Sequence, residues 1–167
     1  YGLLARMLKK QDEADKYLSA AKEMSKEWEM LANDGDHYRL ACDRPDSWGQ
    51  KYNLVWDRLL GLNIFPERVI EQETAFYATK FGTYGCPLDS ETNNVKAEWS
   101  VWTASLNKDS VQFRKFLLPL YQFMNETKTR VPMPDAYNVS DKGTLTRYWG
   151  RPVVGGYFIR LLEKEVQ

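Results

Sequence analysis

The chain alternates short and long connections between stretches of helical periodicity, and that alternation constrains its fold more than any motif. Short links centre on Lys10-Gln11, Asn63-Ile64-Phe65 and Asn107-Lys108, and long ones run roughly over Asn33–Ser47, Gly82–Asn94 and Thr127–Arg151. Consecutive antiparallel helices place every second link at the same end of a bundle. All three long links therefore gather on one face. Long structured loops in a compact domain usually carry function, so this face is the expected working surface.

Three stretches are amphipathic. Gln11–Ala32 sets Ala14, Tyr17, Leu18, Ala21, Met24, Trp28 and Leu31 on one stripe. Pro66–Phe81 does so with Val69, Ile70, Phe76, Tyr77 and Phe81, with proline in its first turn. Lys108–Glu126 uses Val111, Phe116, Leu117, Leu120, Tyr121 and Met124, and Pro119 is expected to kink or break it. The stretches beside them, Gly2–Leu8, Asn53–Leu62, Lys96–Leu106 and Pro152–Leu162, are apolar nearly all round. Helices of that kind are buried on all sides. Gly155-Gly156 leaves room for a neighbouring backbone to come close.

The order is thus inner, outer, inner, outer, inner, outer, inner. That is the grammar of an α/α toroid, in which helical hairpins form two concentric rings. The predicted fold class is all-α: a single domain over 1–167, built as a partial (α/α)6 toroid of about seven helices. A partial layered bundle of the same helices is the alternative. The only β feature expected is a small hairpin within Tyr137–Trp149, turning at Asp141-Lys142-Gly143.

Charge is balanced, with 23 Lys+Arg against 23 Asp+Glu. No basic excess points to nucleic acid, and no polybasic run points to anionic lipid. The longest apolar runs fall far short of a membrane span. Tyr1-Gly2-Leu3 lies inside a helical pattern, so the chain reads as a fragment or processed product, and a missing targeting signal is uninformative. Cys42 and Cys86 both lie in long loops, where a disulfide is conceivable and two free thiols are the plainer reading. Two cysteines and the single His37 fall short of a zinc ligand set, and Asn33-Asp34-Gly35-Asp36 departs from EF-hand spacing. No metal and no cofactor are expected.

The long links bring carboxylates, guanidinium groups and aromatic faces together around the N-termini of inner helices. That mixture suits a sugar or another small polar molecule. Asp57, Asp89, Glu98 and Asp135 are the candidate acid–base groups. Trp48, Lys51, Tyr52, Trp99 and Arg151 are the candidate substrate-binding groups. Asp57 on an inner helix also reads as one half of a structural ion pair with Arg58 or Lys51, and Glu98 as a helix-dipole acid. No G-x-S-x-G elbow occurs, and His37 with Cys42 carries no nucleophile signature.

Several of these junctions match a known family. They are Asp34-Gly35-Asp36-His37-Tyr38-Arg39-Leu40-Ala41, Trp48-Gly49-Gln50-Lys51-Tyr52-Asn53-Leu54-Val55-Trp56-Asp57, Tyr84-Gly85-Cys86-Pro87-Leu88-Asp89, Arg130-Val131-Pro132-Met133 and Arg151-Pro152-Val153-Val154-Gly155-Gly156. In order along the chain, they resemble the C-terminal six-helical-hairpin domain of the glutaminase A family of fungi and Bacteroidetes-type bacteria. The resemblance implies an α/α toroid preceded by further helices and a β-rich region. It also implies an extracytoplasmic (secreted or periplasmic) protein and an L-glutamine amidohydrolase activity. It carries over no catalytic residue.

The expected function is accordingly hydrolysis of glutamine to glutamate and ammonia, with this fragment inactive by itself if missing helices complete the site. A glycoside hydrolase or other carbohydrate-active enzyme on the same toroid is the enzyme alternative. A non-catalytic sugar-binding or structural domain is the other, and it would tie up the loop acids on Arg39, Arg130 and Arg151. An open inner ring would expose apolar surface at Tyr1–Leu8 and Pro152–Leu162 and favour self-association.

Overall fold

The computed structural model describes residues 1–128, 133–140 and 150–164. Within them lie six α-helices: α1 (Gly2–Met7), α2 (Gln11–Ala32), α3 (Leu54–Leu59), α4 (Glu67–Ala78), α5 (Ala97–Ser105) and α6 (Ser110–Glu126). A 3-10 helix, Pro152–Lys164, follows. The seven helices fall in the order and places that the periodicity predicts, and the fold is all-α apart from one small sheet. Pro66 caps the start of α4, the Asp109 carboxylate accepts from Val111 N at the start of α6, and α6 continues through Pro119.

Helix α5 is the centre of the fold. Seven of its residues, Ala97, Glu98, Ser100, Val101, Thr103, Ala104 and Ser105, are buried, as an inner helix requires. It packs against α3, α6 and the 3-10 helix. The last of these contacts depends on Gly156. A Cβ there would come within 2.8 Å of Trp102 Nε1 and 3.0 Å of Glu98 Cβ, and Trp102 Nε1 donates to Gly156 O at 3.1 Å. Of the glycine pair only Gly156 makes a close approach, and it meets the side chains of Trp102 and Glu98, not the neighbouring backbone that was expected.

Two expectations about burial need correction. Tyr17, Met24 and Leu31 of α2 and Val111 and Tyr121 of α6 belong to the predicted buried stripes, yet they are exposed. So are Leu4, Met7 and Leu8 around α1, and Val153, Phe158, Leu161 and Leu162 on the 3-10 helix, which were expected to be buried all round. Periodicity identifies which face is apolar. It does not say how much of that face a neighbour covers, and α1, which packs on α2, has six residues against the 22 of α2. These are the flanks where an open ring was expected to leave apolar surface.

The long connections do meet on one face. Gln50 N donates to Leu88 O (2.8 Å) and Ser90 N to Trp48 O (2.9 Å), joining the first loop to the second. The second and third are joined by an antiparallel pair, β1 (Asn94–Lys96) and β2 (Ala136–Asn138), with Lys96 opposite Ala136. Tyr84 N to Val139 O and Val139 N to Asn93 O, both 2.9 Å, extend the seam. This pairing of Tyr137 with Val95 was not expected, and the hairpin expected to turn at Asp141-Lys142-Gly143 lies outside the described residues.

A buried polar knot fastens the first loop to α4. Glu73, on the inward face of that helix, is fully buried. Its carboxylate accepts from Tyr38 N (2.7 Å) and from the Tyr77 hydroxyl, and lies 3.4 Å from Lys51 Nζ. Lys51 Nζ also donates to Tyr38 O and Gly49 O, both at 2.8 Å. Every buried charge in the knot has a partner, as burial demands.

Cys42 is exposed, Cys86 is buried, and the two are free thiols. Burial pushes the Cys86 thiol up to about 12, so it stays protonated and unreactive at neutral pH. A thiol reagent should therefore label Cys42 alone in the native protein and reach Cys86 only after denaturation, as a native-against-denatured count by mass spectrometry would show. Fast native labelling of both would contradict the packing around Cys86.

Candidate functional site

The β1–β2 seam has a chemical consequence. It sets Lys96, the last residue of β1, beside Asp135, the residue preceding β2, and Ala97 N donates to Asp135 O at 2.9 Å. Glu98 then falls in the first turn of α5. Lys96 Nζ lies 2.8 Å from Asp135 Oδ2 and 3.1 Å from Glu98 Oε1, so one ammonium bridges two carboxylates. Arg151, leading into the 3-10 helix, brings its Nε within 3.4 Å of Asp135 Oδ2. The second and third long loops thus contribute to a single charged cluster.

Its two acids are deeply buried: Glu98 is 2% exposed and Asp135 0%. Each has one oxygen engaged, while Glu98 Oε2 and Asp135 Oδ1 are out of solvent reach and have no hydrogen-bond partner. Buried carboxylate oxygens are rarely left so, because each forgoes a charge-assisted hydrogen bond.

Aromatic groups border the cluster. Tyr52 and Trp99 stack at 4.2 Å with planes 6° apart, and Lys96 Nζ stands 5.2 Å from the Trp99 ring centre. Tyr157 donates to Pro134 O at 3.0 Å. Burial raises the Tyr52 and Tyr157 phenols, and the Glu98 carboxylate adds to both, with Asp135 adding to the second. Both phenols are therefore neutral donors at physiological pH. Below them, Trp56, Trp102, Gly155, Gly156, Phe158, Ile159 and Leu162 line an apolar cleft of about 280 Å³.

The sequence candidates divide on this geometry. Glu98, Asp135, Tyr52, Trp99 and Arg151 come together around Lys96. Asp57 does not join them. Its carboxylate turns to the short link and accepts from Ile64 N (3.0 and 3.1 Å) and Phe65 N (3.0 Å). The ion pair considered for it is also not formed, since Arg58 pairs with Glu163 and Lys51 with Glu73. Lys51, expected to bind substrate, spends its ammonium on the Glu73 knot. Trp48, expected at a pocket, is buried against Phe76 and Tyr77. Asp89 Oδ1 closes a turn by accepting from Glu91 N at 3.0 Å. His37 is bound to Asp36 and stacked on Phe76 at 4.2 Å, whereas Cys42 is exposed. Asp34 pairs with Arg39. Arg130, Arg147, Tyr148 and Trp149 lie outside the described residues. Among the described residues no group of three or more His, Cys, Asp or Glu is placed to hold a metal ion, and no helix is long and apolar enough to cross a membrane.

The family model of the glutaminase A six helical-hairpin domain matches residues 1–161. The chain belongs to that family. It is 34% identical over 157 residues to a glutaminase A of Aspergillus oryzae, an alignment that takes in 90% of this chain and 23% of the relative. It is 28% identical over 194 residues to a probable glutaminase of Arthroderma benhamiae, covering 96% of this chain and 22% of that protein. The chain therefore spans under a quarter of the length of these glutaminases.

Two residues of this charged cluster and its border were not singled out from sequence. Lys96 entered only as the start of an inner stretch, and its place two residues before Glu98 at a loop-to-helix junction is a usable signal. Tyr157 was hidden in an apolar run. Gly156, which lets the 3-10 helix lie against Glu98, gives a direct test of how tightly the cluster is held. Gly156→Ala should cost about 1–3 kcal/mol, because the methyl would stand 2.8 Å from Trp102 Nε1 and 3.0 Å from Glu98 Cβ, and the indole or the 3-10 helix must shift. Chemical denaturation would measure it, and a neutral result would contradict the close approach.

Proposed function

We propose that this chain supplies substrate-binding surface to a glutaminase-type amidohydrolase that converts L-glutamine to L-glutamate and ammonia. Family membership supports the reaction class. The observation that carries the placement is the Lys96–Glu98–Asp135 bridge at the long-loop face, two buried carboxylates each with an unfilled oxygen. Such a cluster offers charged and polar contacts in a low-dielectric setting, where they discriminate strongly. Amide hydrolysis further needs a group to take a proton from water and one to return it to the departing nitrogen. Asp89, Glu98 and Asp135 are the candidate carboxylates on this face.

A carbohydrate-active enzyme is the second reading. It is favoured by a carboxylate pair beside Tyr52 and Trp99, since glycoside hydrolysis uses two such groups next to aromatic surfaces. Against it, Tyr52 already covers one face of Trp99. The deciding experiment offers glutamine and a panel of oligosaccharides to the intact protein. Ammonia from glutamine with no sugar release is the expected result, and sugar release without ammonia would replace the first reading by the second.

A further inference from the structure

The last turn of α6 holds a motif that the long-loop face does not use. Asn125-Glu126-Thr127 is an N-x-T sequon, the acceptor signature for an N-linked oligosaccharide, and Asn138-Val139-Ser140 is a second sequon. Such tripeptides also occur by chance, so their positions in the fold must decide between them. Asn125 is exposed one residue before α6 ends, and Thr127 leaves the helix in an extended conformation. Asn138 is partly buried in β2, opposite Asn94 and between the buried Tyr137 and Val139. Its Oδ1 already accepts from Ser140 N at 2.9 Å.

The surface ahead of Asn125 is an independent observation. Helix positions three, four and seven apart share a face. Val111, Leu118 and Tyr121 therefore line up with Asn125, and all three are exposed, Leu118 by 62% and Tyr121 by 67%. The opposite face of α6 buries Phe116, Leu120 and Phe123, so this line points away from the core. Helical side chains lean toward the N-terminus of their helix. Asn125 does so, with Nδ2 donating to Tyr121 O at 2.7 Å. A sugar joined to Nδ2 thus starts over Tyr121 and runs toward Leu118. Pyranose C–H faces pack against aromatic rings, and a cover of that kind keeps an exposed apolar line from sticking to other surfaces.

We propose that Asn125 carries an N-linked oligosaccharide whose first sugars lie over Tyr121 and Leu118, and that Asn138 carries none. The donor is a lipid-diphosphate-linked oligosaccharide of a secretory compartment. A bond forms between Asn125 Nδ2 and the anomeric carbon, and the bond from that carbon to the diphosphate oxygen breaks. The lipid diphosphate leaves with the electron pair, and Nδ2 gives up one of its two hydrogens as a proton. The other hydrogen remains to serve Tyr121 O. Thr127 is buried in the fold, so transfer precedes the docking of α6 on the core. The proposal does not depend on which reaction the intact protein catalyses.

The test is peptide mass spectrometry of the intact protein purified from its own source, with enzymatic release of N-glycans in heavy-oxygen water to mark each occupied asparagine. The expected result is a glycan on Asn125 in most molecules and on Asn138 in almost none. Hydroxyl-radical labelling of the folded protein then reads the cover directly. Tyr121 should label about threefold or more faster after glycan release than before it, because its exposed ring loses the packed sugars. An unmodified Asn125 overturns the proposal, and so does equal occupancy of the two sequons, since position would then not choose between them. Unchanged labelling of Tyr121 overturns the placement of the sugars. Neither measurement needs a variant, so no folding defect can block them.

Discussion

Glu73→Ala is expected to destabilise the protein by about 3–5 kcal/mol, the cost of breaking a buried charge pair by removing one partner. The change removes the acceptor for Tyr38 N, the counter-charge for Lys51 and one partner of the Tyr77 hydroxyl. Tyr77 retains Gly49 O as an acceptor at 3.1 Å, and Lys51 retains two carbonyls, so the fold can persist in a weakened state. Lys51 would then be a cation mostly out of water with no anion beside it. Glu73→Gln keeps an acceptor for Tyr38 N and should cost less. Urea titrations read the difference as a lower midpoint at unchanged slope. A loss below about 1 kcal/mol for Glu73→Ala would mean that the knot is not what fastens the first long loop to α4.

Glu73 also shows where reading from sequence reaches its limit. The apolar spacing of Val69, Ile70, Phe76 and Tyr77 predicts the inward face of α4 correctly, and all four are buried. Glu73 sits on that same face, one turn before Tyr77, and apolar periodicity does not register a buried charge. Helix order and the gathering of long loops were legible because periodicity and loop length are local properties of the chain. The pairing of β1 with β2 was not, because it joins positions some forty residues apart, and nothing local in Asn94–Lys96 announces its partner. The contacts of Asp57 were hidden for the same reason. The sequence places it on an inner helix, but only the path of the following link shows that the backbone amides of Ile64 and Phe65 take up its carboxylate. For Trp48, residue type suggested a pocket wall, whereas contacts with Phe76 and Tyr77 made it core. That Glu98 and Asp135 lie together was legible because an acid at an inner-helix N-terminus and one in a long loop share the same end of the bundle.

The second large effect falls on that pair. Asp135→Asn should lower kcat/KM for glutamine by about thirtyfold or more in the intact protein, since it neutralises one partner of a buried, hydrogen-bonded charge cluster. Most of the loss should appear in KM if the pair holds the substrate. Lys96 and Arg151 would then face one carboxylate in place of two, so some stability will be lost as well. Melting temperatures are needed to assign activity to folded molecules.

The most direct measurement is therefore ammonia release from glutamine by intact Asp135→Asn and Asp57→Asn variants, side by side, corrected for the folded fraction. The account predicts that Asp135→Asn loses most of its kcat/KM, while Asp57→Asn loses stability and keeps its activity per folded molecule. Near-wild-type activity in Asp135→Asn, or abolished activity in a well-folded Asp57→Asn, would show that the substrate is not bound at the long-loop face.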